Sequence, residues 1–525
     1  MNRSTCFSVL LIGLLGLLAC QPDSGSHAAA RPESFSASFE PSEFSDDDRI
    51  EKISSLAPRI QELMVEHMEA RHIPGVAWGI VVDDSLIIAS ANGLINREQG
   101  IQATTRSSFR IASMTKSFTA MAILKLRDEG RLSLEDPVSL YVPEMANLEY
   151  PTSDAPVIDI ENLLTMTAGF PEDNPWGDRQ LHEPDQMLLE MVAQGISFSS
   201  PTSTQYEYSN TGYAILGYLV SRISGIPYQD YIREEILEPL GMRETYWEFD
   251  NVPDSMLAIG YRWEEDDWVL EPMLHHGAFG AMGGLITSIE DFAKYVSFHL
   301  SAWPPRSDPD DGPVKRSSLR EMHTPQFARL NATSRNFAGE ACPSVGGYGF
   351  GLGIYRDCAG LVRVSHGGAL PGYGSNYSFF PDLGIGLMAF GNLTYTSPWP
   401  FQEIGRLLFE TIELPRRELP VSDILAQRKE EVADLIQEWN PVLEEQVLAE
   451  NFYMDQSRES RMERIGKLLD RAGECQEAGE ITPFNQLRGR FAMQCEMGTI
   501  SVFFTLTPER DPKVQQINVS FSGSR

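Results

Sequence analysis

Apolar runs spaced as strands stand at both ends of the chain's central part, with helical spacing between them. Gly75-Val-Ala-Trp-Gly-Ile-Val-Val82, a turn at Asp83-Asp84 and Leu86-Ile-Ile-Ala-Ser90 predict a β-hairpin over residues 75–91. Helical patterning then dominates to about residue 300. Met114, Phe118, Met121, Ala122, Leu124 and Leu126 follow one helical period that stops at Gly130, and Ser288 is placed to cap a helix running through Leu300. Strand-like runs return at 348–355, 361–364, 377–380 and 384–392. The run Tyr348-Gly-Phe-Gly-Leu-Gly-Ile-Tyr355 lacks the spacing and trailing helix of a phosphate loop, so it reads as a closely packed strand. Beyond residue 415 the pattern restarts. Ile424, Leu425, Val432, Leu435 and Ile436 lie on one side of a helical stretch that Pro441 interrupts, and four strand-like runs follow near 475–483, 487–496, 499–507 and 514–521. The order predicts an α+β fold for residues 48–415 and a separate small α+β module over 416–525. A chain of 525 residues is long enough for both.

Three strings carry candidate chemistry: Ser113-Met-Thr-Lys116, Tyr208-Ser-Asn210 and His366-Gly-Gly368. On a helix, S-x-x-K sets serine and lysine one turn apart on one face, with Cβ atoms about 5–6 Å apart. A lysine amine whose pKa is lowered can draw the proton from a neighbouring hydroxyl, which is otherwise a poor nucleophile. Ser113 opens its helix, where the positive end of the helix dipole favours an alkoxide. An isolated S-x-x-K is unspecific, since a capping serine followed by a solvated lysine explains it equally well. The three strings together, in this order, are specific. No G-x-S-x-G occurs, so an α/β-hydrolase nucleophile elbow has no support.

With Phe109-Arg-Ile-Ala-Ser-Met-Thr-Lys-Ser-Phe-Thr-Ala120, Leu163-Leu-Thr-Met-Thr-Ala-Gly-Phe170, Tyr208-Ser-Asn-Thr-Gly-Tyr-Ala-Ile-Leu-Gly217, Pro239-Leu-Gly-Met242 and Gly283-Gly-Leu-Ile-Thr-Ser288, about residues 50–412 resemble the serine β-lactamase and penicillin-recognising superfamily. The likeness is to its branch of class C β-lactamases, DD-peptidases and related esterases. It implies an antiparallel sheet made from both chain ends, covered by helices and flanked by an all-helical lobe, with the site between. It further implies Ser113 as nucleophile, Lys116 as its amine partner and Tyr208 as the phenol that relays a proton to the leaving group. A phenol acts as a base near neutrality only if cations lower its pKa, which would give Lys116 a second role. Asn210 would hydrogen-bond the substrate or fix Lys116; His366, Gly367 and Gly368 would lie on an edge strand beside the substrate; and the N–H groups of Ser113 and Ala369 would form the oxyanion hole. No cofactor or metal is implied. In the β-lactamase branch the third string begins with lysine. His366 is mostly neutral at pH 7 and holds a substrate carboxylate less well. Small esters or D-amino-acid amides and peptides therefore rank above β-lactams. A β-lactamase or DD-carboxypeptidase is the alternative of the same chemistry, and a sensor or binding protein that acylates without turnover is the alternative of a different class.

Residues 1–19 carry Arg3, an apolar run from about Phe7 to Leu18 and the sequence Leu17-Leu-Ala-Cys20, which resembles a lipoprotein signal. Lipidated Cys20 would anchor the protein in the cell envelope, on the periplasmic face of an outer membrane if there are two; a soluble periplasmic or secreted form is the alternative. Residues 20–47 read as that cysteine and a flexible tether. The net charge of −32 argues against nucleic acid and against a basic membrane-binding patch. Of six cysteines, Cys6 and Cys20 belong to the leader. Exported chains form disulfides, and of the three possible arrangements Cys342 with Cys358 and Cys475 with Cys495 is favoured, because each pair flanks a short segment within one proposed domain. His275-His276 lacks ligand-spaced partners, so a structural role is preferred over metal binding. The C-terminal module shows no catalytic constellation, and its partner, if any, is unknown.

Overall fold

The computed structural model describes residues 39–44, 48–412 and 414–523. Cys20, the leader and residues 21–38 lie outside them. The chain divides into two compact units, residues 40–420 and a C-terminal unit from Val421.

The first unit is built on nine antiparallel strands: β1 (Gly75–Val82), β2 (Ser85–Asn96), β3 (Ile101–Gln102), β4 (Gln326–Asn331), β5 (Ser344–Tyr348), β6 (Gly353–Arg356), β7 (Val362–Leu370), β8 (Tyr373–Phe380) and β9 (Ile385–Gly391). Their order across the sheet is β3-β2-β1-β9-β8-β7-β6-β5-β4, so β1 from the N-terminal half pairs with β9 from the C-terminal half. The sheet is thus closed from both chain ends, as the resemblance implies. All eight residues of β1 are buried, and the pleat sends alternate residues to opposite faces. Ala77 and Val81 join the core shared with the helical lobe, while Val76, Trp78, Ile80 and Val82 join a second core with Ile60 and Met64 of the Ala57–Ala70 helix. This two-sided burial explains why β1 is apolar throughout rather than alternating.

Residues 103–325 supply most of the helical lobe. The Ile289–Leu300 helix is capped by Ser288, whose side chain accepts from the Asp291 N–H, and the Thr115–Asp128 helix stops just before Gly130, whose φ is +73°. Two expectations need correction. The glycine-rich run 348–355 is not one strand but the end of β5, a turn and the start of β6. Gly349 and Gly351 make the turn: a Cβ on Gly349 would lie 2.2 Å from the Met322 carbonyl, and one on Gly351, at φ +73°, would lie 2.8 Å from Ser117 Cα. The end of the supposed tether is also docked. Glu43 and Glu418 exchange backbone hydrogen bonds of 2.9 and 2.7 Å. Phe44 lies under the guanidinium groups of Arg49 and Arg417, at 3.4 and 4.2 Å from its ring centre, a favourable cation–π arrangement.

The C-terminal unit has helices Asp423–Gln437, Pro441–Val447 and Arg458–Ala472, and a four-stranded antiparallel meander of Thr482–Asn485, Arg488–Cys495, Gly498–Leu506 and Val514–Gly523. The first strand starts later than the sequence pattern suggests, because Cys475 is tied to Cys495 and bridges the end of the second strand instead. Its core, including Leu425, Leu435, Phe491, Val502 and Phe504, is its own. Cys342 is bonded to Cys358 in the first unit, so both favoured pairings are present. Among the described residues no helix is long and apolar enough to cross a membrane.

Candidate active site

Ser113 sits on a 3-10 turn, Ala112–Met114, that leads into the Thr115–Asp128 helix. Its predecessor Ala112 has φ +49°, a conformation that an alanine adopts only where the surroundings impose it. Lys116, in the helix's first turn, is completely buried. Its Nζ lies 3.0 Å from Ser113 Oγ, 2.7 Å from Asn210 Oδ1 and 3.0 Å from the carbonyl of Met282. Asn210 is fixed from the other side. It begins the Asn210–Ser224 helix, capped by Ser209, and its Nδ2 donates to Asn174 Oδ1 at 2.6 Å. Tyr208 precedes that cap, with its ring centre 4.8 Å from Lys116 Nζ.

The third string approaches from the sheet. β6 pairs with β7 only as far as Ser365, so residues 366–370 keep one edge unpaired by β6. Gly368 lies against the turn that carries Ser113: a Cβ there would fall 2.1 Å from the Ile111 carbonyl and 2.3 Å from Ser375 Oγ, which itself donates to that carbonyl at 2.8 Å. Gly368→Val should therefore destabilise the unit by about 1–3 kcal/mol and shift the Ser113 turn; thermal melting and activity should fall together. Ser113, Tyr208, His366, Gly367, Gly368 and Ala369 line one cleft of about 540 Å3. Lys116 and Asn210 lie beneath it.

Burial lowers the Lys116 pKa to about 7, against the pull of Asp178 and Asp173. A neutral amine has two N–H groups and one lone pair. Asn210 Oδ1 and the Met282 carbonyl can only accept, so they take both N–H groups and the lone pair is left for the Ser113 hydroxyl. Tyr208 behaves differently from the expectation. Burial raises its hydroxyl well above the usual value, opposed by the neighbouring Ser113 side chain, so it rests as a neutral phenol and not as a base. His366 is pushed down to about 4, by burial first and then by Lys116. Its Nε2 lies 3.1 Å from the Tyr348 hydroxyl.

The sequence pattern missed a further group of residues. Asp173 accepts from the N–H groups of Asn210 and Thr211 at 2.7 and 2.8 Å, and from the Thr211 hydroxyl at 2.7 Å. Asn174, Asp178 and Tyr395 line the cleft. The flanking of Pro175 and Gly177 by two aspartates was the available signal, a polar turn placed a few residues after the family-like segment that ends at Phe170. His275 and His276 both face Glu248, at 2.8 and 2.7 Å. Among the described residues no cluster of three or more His, Cys, Asp or Glu could hold a metal.

A serine, a buried lysine and a phenol converging between an antiparallel sheet and a helical lobe define the class of the serine β-lactamases and penicillin-binding proteins. Within it, the chain belongs to the Beta-lactamase family, whose model matches residues 60–408. It is 28% identical over 348 residues to Beta-lactamase-like protein 2 of Dictyostelium discoideum, covering 65% of this chain and 60% of that protein. It is 27% identical over 334 residues to Protein flp of Staphylococcus aureus strain MW2, covering 63% and 62%. The chain therefore spans less than two thirds of the length of these relatives. In fold it is similar to the octameric penicillin-binding protein homologue from Pyrococcus abyssi, with TM-score 0.56 and 23% identity over 89% of this chain and 96% of that one. It is also similar to a penicillin-binding protein from Bacillus halodurans, with TM-score 0.52 and 22% identity over 66% and 98%.

Proposed function

We propose that the protein is a serine hydrolase that works through an acyl-enzyme intermediate on small esters or D-amino-acid amides and peptides. The observation that carries this reading is the coordination of Lys116 Nζ, with two acceptors and one serine hydroxyl around a fully buried amine. Ser113 Oγ attacks the acyl carbon while its proton passes to Lys116. The new oxyanion is held by the N–H groups of Ser113 and Ala369. Tyr208 then donates its proton to the leaving group and is reprotonated from Lys116, a relay that suits a phenol held neutral at rest. Water attacks the acyl-enzyme by the same route in reverse and frees Ser113.

The lining of the cleft supports the substrate class. His366 is neutral near pH 7, and among the described lining residues there is no lysine or arginine; Asp178 is the one formally charged side chain. A β-lactam carboxylate would find no cation there. The test is a panel of a neutral p-nitrophenyl ester, a D-amino-acid amide, a D-Ala-D-Ala peptide and a chromogenic cephalosporin. The kcat/KM for the best ester or amide should exceed that for the cephalosporin by about tenfold or more, the worth of one unmade charge contact. A cephalosporin preference would move the protein to the β-lactamase branch, and stoichiometric acylation without turnover would make it a sensor. Lipidation of Cys20 and placement in the cell envelope complete the proposal.

A further inference from the structure

Residues 173–178 take part in none of these steps, yet they wrap the start of the Asn210–Ser224 helix. Asp173 and Asn174 hold Asn210 by its N–H and its side-chain amide. Gly177 leans on the same residue so closely that a Cβ would lie 2.8 Å from Asn210 Cβ. The next residue, Asp178, is only 3% exposed. Its Oδ2 accepts from the Tyr395 hydroxyl at 3.2 Å, and its Oδ1 is out of contact with solvent and has no hydrogen-bond partner.

A buried carboxylate with an unmet oxygen persists only beside a positive charge or as the neutral acid. Burial pushes the Asp178 carboxyl up, Lys116 is the charge that most opposes that rise, and Tyr395, Asp173 and Arg179 act on it less. Arg179 is exposed and donates to the Pro175 carbonyl, so water screens its charge. Lys116 is as buried as Asp178. Around Lys116, in turn, stand Ser113, Asn210, the Met282 carbonyl, the rings of Tyr208 and Tyr213, His366, Asp173 and Asp178. Both phenols and His366 are neutral near pH 7. Asp173 already accepts three hydrogen bonds at the helix start, whereas Asp178 has one.

We propose that Asp178 is a positioning residue that acts through Lys116: it is the buried counter-charge of the Lys116 ammonium and sets the pH range in which Ser113 is reactive. Asp178 borders the cleft, but its Oδ1 is out of contact with solvent and its Oδ2 is engaged by the Tyr395 hydroxyl. Without the carboxylate the ammonium is less favoured, so Lys116 gives up its proton at lower pH. This rests on the reading of Ser113 as the nucleophile, and a probe that needs no turnover separates the two. With a fluorophosphonate, Ser113 Oγ bonds to phosphorus, fluoride leaves, and the proton passes to Lys116; the adduct is read as intact mass on the full chain across pH.

The labelling rate of the unaltered protein should rise through about pH 7, where Lys116 deprotonates. In Asp178→Asn that midpoint should fall by about one pH unit, as expected for loss of a nearby opposite charge. Asp178→Glu should restore most of it. Tyr395→Phe, at an exposed position, weakens the carboxylate's support and should move the midpoint the same way by less; it carries the test if Asp178→Asn does not fold. A midpoint that stays in place while the rate falls uniformly, or one that rises, overturns the proposal. So does an effect of Asp178→Asn confined to the KM of amine-bearing substrates, which would make Asp178 a substrate contact. No labelling of Ser113 in the unaltered protein at any pH would overturn the nucleophile reading itself.

Discussion

Ser113→Ala should lose at least about 10^4-fold in kcat on whichever ester or amide the protein prefers, the scale seen when a serine nucleophile is removed from a site whose other parts remain. The variant keeps Lys116 and the unpaired edge of β7, so substrate binding should persist and KM should change little. The fold should tolerate it. Ser113 is buried on a short turn, and an alanine there removes one hydroxyl without creating a void large enough to matter. A melting curve matching that of the parent chain, measured beside the kinetics, separates loss of chemistry from loss of structure.

Lys116→Met should lower kcat/KM by about 10^3-fold, the worth of a well-placed general base. In this site the amine has no substitute: Tyr208 rests as a neutral phenol and His366 hydrogen-bonds away toward Tyr348. Methionine nearly matches the length of the side chain, but it leaves Asn210 Oδ1 and the Met282 carbonyl without a donor, a penalty of about 1–3 kcal/mol each. Removal of a desolvated amine offsets part of that. The pH profile supplies the sign. Because the Lys116 pKa is lowered to about 7, the parent's kcat/KM should climb as pH rises through that value, and the residual activity of the methionine variant should lack that limb. A parent profile flat between pH 6 and 8, with its limb near the free-lysine range, would mean that burial does not bring Lys116 to a base near neutrality.

Much of this site could be read from the sequence because its chemistry resides in local strings. S-x-x-K needs only one helical turn to bring its two groups together, and Ser209 caps the helix that Asn210 begins, so those side chains are positioned by neighbours in sequence. The hairpin of β1 and β2 follows from two apolar runs and a turn, again locally. What stayed hidden depends on contacts between distant residues. Asp173 and Asn174 act on a helix that starts more than thirty-five residues later, and Tyr395 reaches Asp178 across 217 positions. The neutral state of Tyr208 likewise depends on how much of the fold closes over it, which no spacing reveals. The glycine-rich run between β5 and β6 misled for a related reason: its alternation suited a strand, but the close approach of Gly349 to Met322 makes it a turn.

The most direct test of the account is the intact mass of the full chain, quenched during turnover of a p-nitrophenyl ester and then digested to map the adduct. A mass gain equal to the acyl group, located on Ser113 and absent from Ser113→Ala, is the expected result. Turnover that proceeds in Ser113→Ala, or an acyl group mapped to another residue, would contradict it.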